Sequence, residues 1–372
     1  MRSWSDEAAL SGEPAAPIKG RGATFNPGNR FRRDSRDAVD DGWAQPQGDD
    51  DELPPLKTTV TLQRARTIIA RNDSPDIPFT QSINPYQGCE HGCVYCYARP
   101  THAYLDLSPG LDFETKLFAK PDAAAMLEAE LAKPGYVCDA IAMGTNTDPY
   151  QPIERDWKIT RQILEVLAAC DHPVSIVTKS ALVERDIDIL APMAAKNLAR
   201  VYVSVTTLDR ELARKLEPRA AAPQRRLAAI KALAGAGIPV GVMTAPIIPQ
   251  LTDKDMEAIL EAAAANGAEY AGWTMLRLPF EVKTLFREWL AQHYPLRAEH
   301  VMSIVQQIRG GRDNDPAFGS RMRGQGQFAD LIARRFDIAA RRLGLNRVRA
   351  PMDTSRFKPP LSAAQRAQLT LF

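Results

Sequence analysis

Ser82-Ile-Asn-Pro-Tyr-Gln-Gly-Cys89-Glu-His-Gly-Cys93-Val-Tyr-Cys96 carries three of the five cysteines of this 372-residue chain. Three residues separate the first two thiols and two residues separate the last two, so one short loop can wrap three corners of an iron–sulfur cube. Gly88 and Gly92 lack a Cβ, which would let the backbone approach the inorganic sulfides. No fourth cysteine is near, and the open metal position indicates an enzyme rather than a structural metal site.

A structural zinc site is the alternative for these thiols. Zinc requires four closed ligands, and the fourth would be His91 or His102. His91 lies inside the tight loop between Cys89 and Cys93, a position that is unfavourable for binding the same metal ion as those cysteines. Cys138 and Cys170 flank predicted elements, and we expect them to be small core side chains, with a catalytic Cys138 as the minor alternative.

The bulk composition is that of an ordinary globular protein, with 45% hydrophobic residues and a net charge of +2. No run of eighteen apolar residues appears, so we expect no membrane span. The first residues contain no apolar stretch of the signal-peptide type. We therefore expect a cytoplasmic protein, whose cysteines bind metal or catalyse rather than form disulfides.

The chain divides into three predicted segments. Residues 1–56 are rich in Pro, Gly, Asp and Arg, and we expect them to be mostly disordered. Within them, Gly20–Phe31 combines Arg and Phe side chains with small residues, which suits docking on the core or on a phosphate backbone. Residues 57–295 form the main domain, and residues 296–372 form a basic, helical C-terminal extension.

Short β-branched runs alternate with longer amphipathic runs after the cysteine stretch. This alternation predicts right-handed β-α-β units and a parallel sheet, and about six units would form a partial (β/α)6 barrel of the α/β class. The predicted strands are Phe79–Ile83, Asp139–Gly144, Val174–Thr178, Val201–Val205, Val240–Thr244 and Gly272–Leu276. The predicted helices are Asp156–Ala169, Asp186–Lys196, Leu212–Leu233, Asp253–Asn266, Pro279–His293, Ala298–Arg309 and Phe328–Leu343.

Polar residues follow the predicted strands where ligands of such folds gather. Asn146 and Asp148 follow one strand, Lys179 follows the next, and Ser204 ends the third. Arg277 follows the last strand, where an unpaired buried charge would cost several kcal/mol. These positions predict a single active-site mouth beside the cysteines.

Two stretches together identify the chain as resembling a known family. Ser82-Ile-Asn-Pro-Tyr-Gln-Gly-Cys-Glu-His-Gly-Cys-Val-Tyr-Cys-Tyr-Ala-Arg99 and Gly144-Thr-Asn-Thr-Asp-Pro-Tyr-Gln-Pro-Ile-Glu154 resemble the uncharacterised branch of the radical S-adenosylmethionine (SAM) superfamily that is related to spore photoproduct lyase. The resemblance spans about residues 26–344. It implies the radical SAM type of partial barrel.

The resemblance also implies cofactors and roles for particular residues. Cys89, Cys93 and Cys96 would hold a [4Fe–4S] cluster that cleaves SAM to a 5′-deoxyadenosyl radical, with electrons from an external donor of the flavodoxin or ferredoxin type. The residues implied to contact SAM are Tyr95 near the adenine, Asn146 and Asp148 in the loop that faces the amino group, and Lys179 and Ser204 at the carboxylate and ribose.

The residues leave the substrate open between three hypotheses. Basic residues motivate a nucleic-acid substrate, as in lesion repair; they are Arg210, Arg214, Lys215, Arg219, Arg225, Arg226 and the C-terminal basic residues from Arg309 onward. The alternatives are a radical SAM enzyme that modifies a protein or small molecule, and a non-enzymatic metal or cluster protein that serves as an interaction module. Photoproduct lyases place a hydrogen-donor cysteine beside the SAM-binding loop, but Gly144–Gln151 has none, and Cys138 begins its strand instead.

Overall fold

The computed structural model describes residues 17–31, 56–347 and 351–361, and within them ten strands form two sheets. The strands are β1 (Thr59–Leu62), β2 (Ile69–Arg71), β3 (Gln81–Ile83), β4 (Tyr86–Gln87), β5 (Lys116–Ala119), β6 (Ile141–Met143), β7 (Val174–Thr178), β8 (Ala199–Ser204), β9 (Val240–Ile247) and β10 (Tyr270–Met275). The helices are α1 (Leu111–Thr115), α2 (Ala123–Leu131), α3 (Glu154–Trp157), α4 (Ile159–Ala169), α5 (Ile187–Ala195), α6 (Arg210–Leu216), α7 (Pro223–Gly235), α8 (Met256–Ala265), α9 (Val282–His293), α10 (Ala298–Gln307) and α11 (Gln327–Arg342).

The larger sheet has seven strands in the order β10-β9-β8-β7-β6-β3-β2. Neighbouring strands are parallel from β3 to β10, and only the edge strand β2 runs antiparallel. Every residue of the central strand β8 is buried, as expected where helices cover both faces of a parallel sheet. The α/β class and the six predicted parallel strands are therefore confirmed.

Two predicted helices are each divided in the structure. Lys158 adopts a left-handed conformation, with φ of 52°, and this separates α3 from α4. Pro218 and Pro223 separate α6 from α7, because proline cannot continue a helix interior. Both ranges are helical as the apolar periodicity predicts, but the periodicity continues across these breaks and does not reveal them.

The N-terminal stretch 17–31 packs against the folded domain. Ala23 and Phe25 join Leu285 of α9 in a small apolar cluster, and Arg21 donates to the carbonyls of Glu114 and Leu56. This stretch docks on the core, as one of the two hypotheses for Gly20–Phe31 predicted. The other parts of the predicted tail, residues 1–16 and 32–55, lie outside the described residues.

The loop between α10 and α11 links the two edges of the larger sheet. Beside β10, the Met275 amide donates to the Met322 carbonyl (2.9 Å). Beside the β2–β3 turn, Arg321 forms an ion pair with Asp76, and the Gly319 amide donates to the same carboxylate (2.7 Å). This bridging loop, residues 309–326, therefore spans the gap that a six-stranded partial barrel leaves open. No helix of the described ranges is long and apolar enough to cross a lipid bilayer.

Candidate active site

The cysteine loop follows β3 and β4, at the edge where the parallel strands end, which we call the mouth. The structure brings the three predicted thiols into this one loop, with Cys89 and Cys93 buried and Cys96 half-buried. The loop also packs against the segment after α6, because the Val94 amide donates to the Leu216 carbonyl (3.1 Å). Its apolar residues join a cluster built mainly from α9 and α10.

A buried arginine holds the loop from the side of the core. Arg99 donates to the carbonyls of Cys93 (2.9 Å) and Gly92 (3.2 Å), and it forms an ion pair with Glu114. Both side chains of the pair are fully buried. Glu114 also accepts two backbone hydrogen bonds from the N-terminal stretch. Sequence reasoning missed this pair, since its members lie fifteen residues apart and outside any strand end.

The two loop glycines have a structural reason in addition to the one predicted. Both adopt positive φ, +75° at Gly88 and +67° at Gly92, which favours glycine by itself. A Cβ at Gly88 would lie 2.7 Å from Leu117, and one at Gly92 would lie 2.8 Å from the Glu114 carboxylate. Backbone conformation and close packing against the protein therefore favour glycine at both positions, and the approach to the cluster sulfides stays a prediction.

Without a bound metal, the buried thiols of the loop are protonated at neutral pH. Burial raises the pKa of the Cys93 thiol to about 12, although the neighbouring Lys179 acts to lower it. Burial also raises the pKa of Cys89 well above its ordinary value, and the Asp148 charge adds to that effect. Buried thiols of this kind become thiolates when a cation binds them, because a coordinated thiol is deprotonated outright.

The zinc alternative lacks its ligand set. Across the described parts of the chain, no group of three or more His, Cys, Asp or Glu residues is arranged to hold a single metal ion. His91 pairs with Asp148 (3.3 Å), and His102 Nε2 contacts the Lys116 carbonyl (2.9 Å). A [4Fe–4S] cluster needs no such convergence, because each of its thiolates binds a different iron.

Asp148 lies at the mouth as predicted, but protein donors already surround its carboxylate. Thr178 Oγ1 (2.7 Å) and the Tyr150 amide (2.9 Å) donate to Oδ1, while the Lys179 amide (2.7 Å) donates to Oδ2 beside His91. Burial by itself would raise the pKa of Asp148, but His91 and these donors lower it to about 2. Asp148 therefore fastens the β6–α3 loop to the end of β7.

Lys179 faces a buried charge network that the sequence did not predict. Its ammonium lies 5.9 Å from the ring centre of Tyr95, whose hydroxyl donates to Glu217. Glu217 also accepts from Thr206 (2.6 Å) and forms an ion pair with Arg226. Burial would raise the pKa of Glu217, but Arg226 and Lys179 lower it to about 2.

Arg226 was assigned from sequence to a basic surface, and this assignment is wrong. Its side chain is 2% exposed, and it donates to the Ser204 carbonyl (3.0 Å) as well as to Glu217. Other members of that set are also ion-paired, among them Lys215 with Glu211, Arg219 with Glu90 and Arg225 with Glu184. A run of basic residues cannot reveal which member turns inward, because the sequence does not show that Glu217, nine residues before Arg226, is buried.

The remaining predicted contacts also lie at the mouth. Asn84, which precedes the cysteine loop, accepts from the Asn146 amide (3.1 Å) through its side-chain oxygen. Ser204 is buried at the end of β8. Tyr97, which follows Cys96, donates its hydroxyl to the Thr145 carbonyl. The loop after β6 is thus attached both to the strand before the cysteines and to the residue after them.

The comparisons with known proteins agree with this geometry. Residues 83–263 match the family model described as the Radical SAM superfamily. An uncharacterized protein of Mycobacterium tuberculosis is 38% identical over 280 residues, which cover 74% of this chain and 81% of that protein. An uncharacterized protein of Methanocaldococcus jannaschii is 30% identical over 213 residues, covering 57% of this chain and 76% of that protein. Spore photoproduct lyase complexed with dinucleoside spore photoproduct superposes with a TM-score of 0.56 at 18% identity, covering 77% of this chain and 80% of that one.

The fold and site define a protein with an iron–sulfur cluster at the mouth of a parallel α/β sheet. More specifically, the chain belongs to the radical SAM superfamily, as the resemblance in sequence predicted. It is a radical SAM enzyme, and its cofactors are a [4Fe–4S] cluster and SAM. The non-enzymatic hypothesis is thereby set aside.

Proposed function

We propose that this radical SAM enzyme acts on nucleic acid. The observation that carries the proposal is a set of arginines stacked on aromatic rings near the end of β10. Arg321 lies over the Phe318 ring (4.5 Å), and Arg323 lies over the Trp273 ring (4.2 Å). Arginines interleaved with aromatic side chains suit phosphates and unstacked bases. Spore photoproduct lyase, which shares the fold, has been solved with a dinucleoside lesion bound, and this supports the same substrate class.

Three of the predicted SAM contacts retain their proposed roles. When bound and reduced, the cluster supplies an electron that cleaves SAM and yields the radical that abstracts hydrogen from the substrate. Lys179 would bind the SAM carboxylate as a point charge, Tyr95 would line the adenine site, and Ser204 would contact the ribose. The Tyr95 hydroxyl is directed to Glu217, so the ring rather than the hydroxyl is offered to a ligand.

For the β6–α3 loop we propose a division of labour. Asn146 and its neighbours would face the SAM amino group, as the resemblance implies. The four contacts to the Asp148 carboxylate fill the lone-pair positions that an ammonium would need. We therefore propose that Asp148 positions this loop and Lys179, and direct pairing of Asp148 with SAM stays a prediction.

The reaction we propose differs from that of photoproduct lyase. Cys138 precedes β6 and thus lies at the opposite end of that strand from the loop at 144–148. Burial and the Asp139 charge raise the pKa of its thiol to about 11. Apart from the cluster cysteines, no cysteine of the described residues lies beside the SAM loop to return a hydrogen atom, so we propose another lesion or a modified base as the target.

An electron donor is required, and we propose that an acidic carrier of the flavodoxin or ferredoxin type docks beside α6. The Arg219 amide donates to the His91 carbonyl (3.2 Å), which places this segment directly against the cysteine loop. Arg210 and Arg214 are exposed there, and opposite charge steers association of redox partners. We propose a cytoplasmic location, because a reducing compartment keeps the loop thiols available for iron.

A binding titration tests the substrate class. The reconstituted enzyme should bind single-stranded oligonucleotides with an affinity that falls steeply as salt rises, because each phosphate contact releases counterions. Deuterium transfer from a bound oligonucleotide pool into 5′-deoxyadenosine would then identify the reacting species. Absence of oligonucleotide binding at low salt, together with deuterium transfer from a protein or metabolite fraction, would replace this proposal with the protein or small-molecule alternative.

A further inference from the structure

We propose that Arg277 forms an anion subsite at the mouth that binds one phosphate of the substrate. The proposal deepens the proposed function, on which its assignment to a nucleic-acid phosphate rests. The anion subsite itself rests only on the arrangement of Arg277 and its neighbours.

Arg277 is a charged side chain without a charged partner. Its Nη1 contacts the Met322 thioether (3.5 Å), and its guanidinium lies 5.3 Å from the ring centre of Tyr97. Its Nε is buried and has no hydrogen-bond acceptor. In the described parts of the chain, no carboxylate lies within ion-pair distance of it. Burying an unpaired charge costs free energy, and a guanidinium cannot lose its proton to avoid that cost. The guanidinium therefore keeps an N–H donor without an acceptor.

A second arginine increases the positive charge there. Arg309 donates to the carbonyls of Leu276, Ser320 and Arg321, and its Nε is also buried without an acceptor. Burial and the adjacent Arg277 charge lower the pKa of Arg309 to about 10. Burial likewise lowers the pKa of Arg277. Two like charges are thus held side by side, which is an arrangement that an anion would stabilise.

The acidic side chains in this region are already engaged. Asp76 accepts from Arg321 and from the Gly319 amide, and Asp315 accepts from Ser320 and from the Ala317 amide. Neither is within ion-pair distance of Arg277 or Arg309. Neither carboxylate therefore neutralises Arg277 or Arg309 by direct pairing, and a bound anion would do so.

The position of Arg277 fits a substrate group. Arg277 directly follows β10, under the bridging loop, and Tyr97 connects it to the cysteine loop. Arg321, Arg323 and Phe318 belong to the same loop, and Arg323 lies over Trp273 of β10. A phosphodiester held at Arg277 would direct the attached nucleotide toward the cluster. The bidentate geometry of a guanidinium suits a phosphate oxygen pair.

Arg277→Gln tests the subsite in the reconstituted, cluster-loaded full chain. With a fluorescent ten-residue oligothymidylate, we expect about a tenfold weaker Kd, as for loss of a charge-assisted hydrogen bond. The slope of log K against log salt should fall by about 0.7, the value for one phosphate on a single strand. Arg277→Lys should be intermediate and covers the case in which Arg277→Gln does not fold. Arg64→Gln, which removes an exposed arginine between β1 and β2 that is outside the basic set, is the matched control and should change neither quantity.

Two further arms separate the subsite from the proposed function. Pyrophosphate alone should raise the melting temperature of the wild type but not that of Arg277→Gln. If the wild type binds no oligonucleotide yet shows this shift, the nucleic-acid proposal fails and the anion subsite stands. An unchanged Kd and slope, or no pyrophosphate difference between the two proteins, would overturn the subsite. A loss of SAM affinity equal to the loss of oligonucleotide affinity would also overturn it, since Arg277 would then be an anchor for SAM.

Discussion

The ends of the middle strands and the end of β10 differ in whether their charged side chains have partners within the protein. At the middle strands, Asp148 and Glu217 are each surrounded by donors that fix them as carboxylates. At β10, Arg277 lacks a charged partner among the described residues. The difference teaches that the protein itself pairs the charges in the cofactor half of the mouth, while Arg277 in the other half is left for the anion that we propose.

The largest expected effect breaks the cofactor half at its metal. Cys93→Ala removes one cluster ligand, so iron should fall from about four per chain to near zero. SAM cleavage should disappear, as measured by chromatography of 5′-deoxyadenosine after reduction with dithionite. Cys138→Ala, at the other end of β6, should keep both iron and activity. Cleavage by Cys93→Ala at the wild-type rate would refute the assignment of the cluster.

The next effect tests whether the middle strands depend on charge pairing. Arg226→Met leaves Glu217 buried without its cation, and we expect the free energy of unfolding to fall by about 3–5 kcal/mol in urea denaturation. The double variant Arg226→Met/Glu217→Gln removes both charges and should recover most of that loss. Equal destabilisation of the single and double variants would show that packing, rather than charge, explains the effect.

A histidine away from the mouth contrasts with Arg277, because a buried histidine can lose its proton and so avoid an unpaired charge. His172 is fully buried, contacts Tyr136 (2.8 Å) and lies edge-on to Phe357. Burial lowers its pKa to about 4, so it stays neutral in the folded protein at neutral pH. Its contribution to stability is present above pH 6.5 and is lost as pH falls from 6.5 to about 4, by up to about 3 kcal/mol.

Urea denaturation across that pH range measures this contribution. His172→Gln should flatten the part of the pH dependence that His172 provides, whatever its effect on stability at pH 7. A variant whose stability falls between pH 6.5 and 4 as steeply as that of the wild type would show that other groups cause the acid destabilisation.

The smallest effect sharpens the role of Asp148. Asp148→Asn replaces one acceptor oxygen with a donor that faces Thr178 or the Lys179 amide, so Lys179 loses its fixed position. We expect about tenfold weaker SAM binding by equilibrium dialysis, from loss of one charge-assisted hydrogen bond. As the control, Ser180→Ala changes the residue next to Lys179 and should bind SAM normally. A loss of several hundredfold would instead favour direct pairing of Asp148 with the ammonium.

The sequence by itself determined the cofactor half of this protein. Cys89, Cys93 and Cys96 lie close together in the chain, so their spacing can be recognised without knowledge of the fold. The alternation of apolar periods gave six parallel strands, because side-chain periodicity depends on neighbours in the chain. The polar residues at strand ends followed from the same reasoning, since the carboxyl ends of parallel strands meet at one edge.

Only the tertiary structure decided which charges are paired. The sequence placed Arg226 on a basic surface, yet Arg226 is buried and paired with Glu217, while Arg277 pairs with no carboxylate that the structure describes. The sequence also could not predict the packing of Gly88 and Gly92 against the core or the ion pair between Asp76 and Arg321. Each depends on residues far apart in the chain that approach only when the sheet has formed, and no local pattern records that approach.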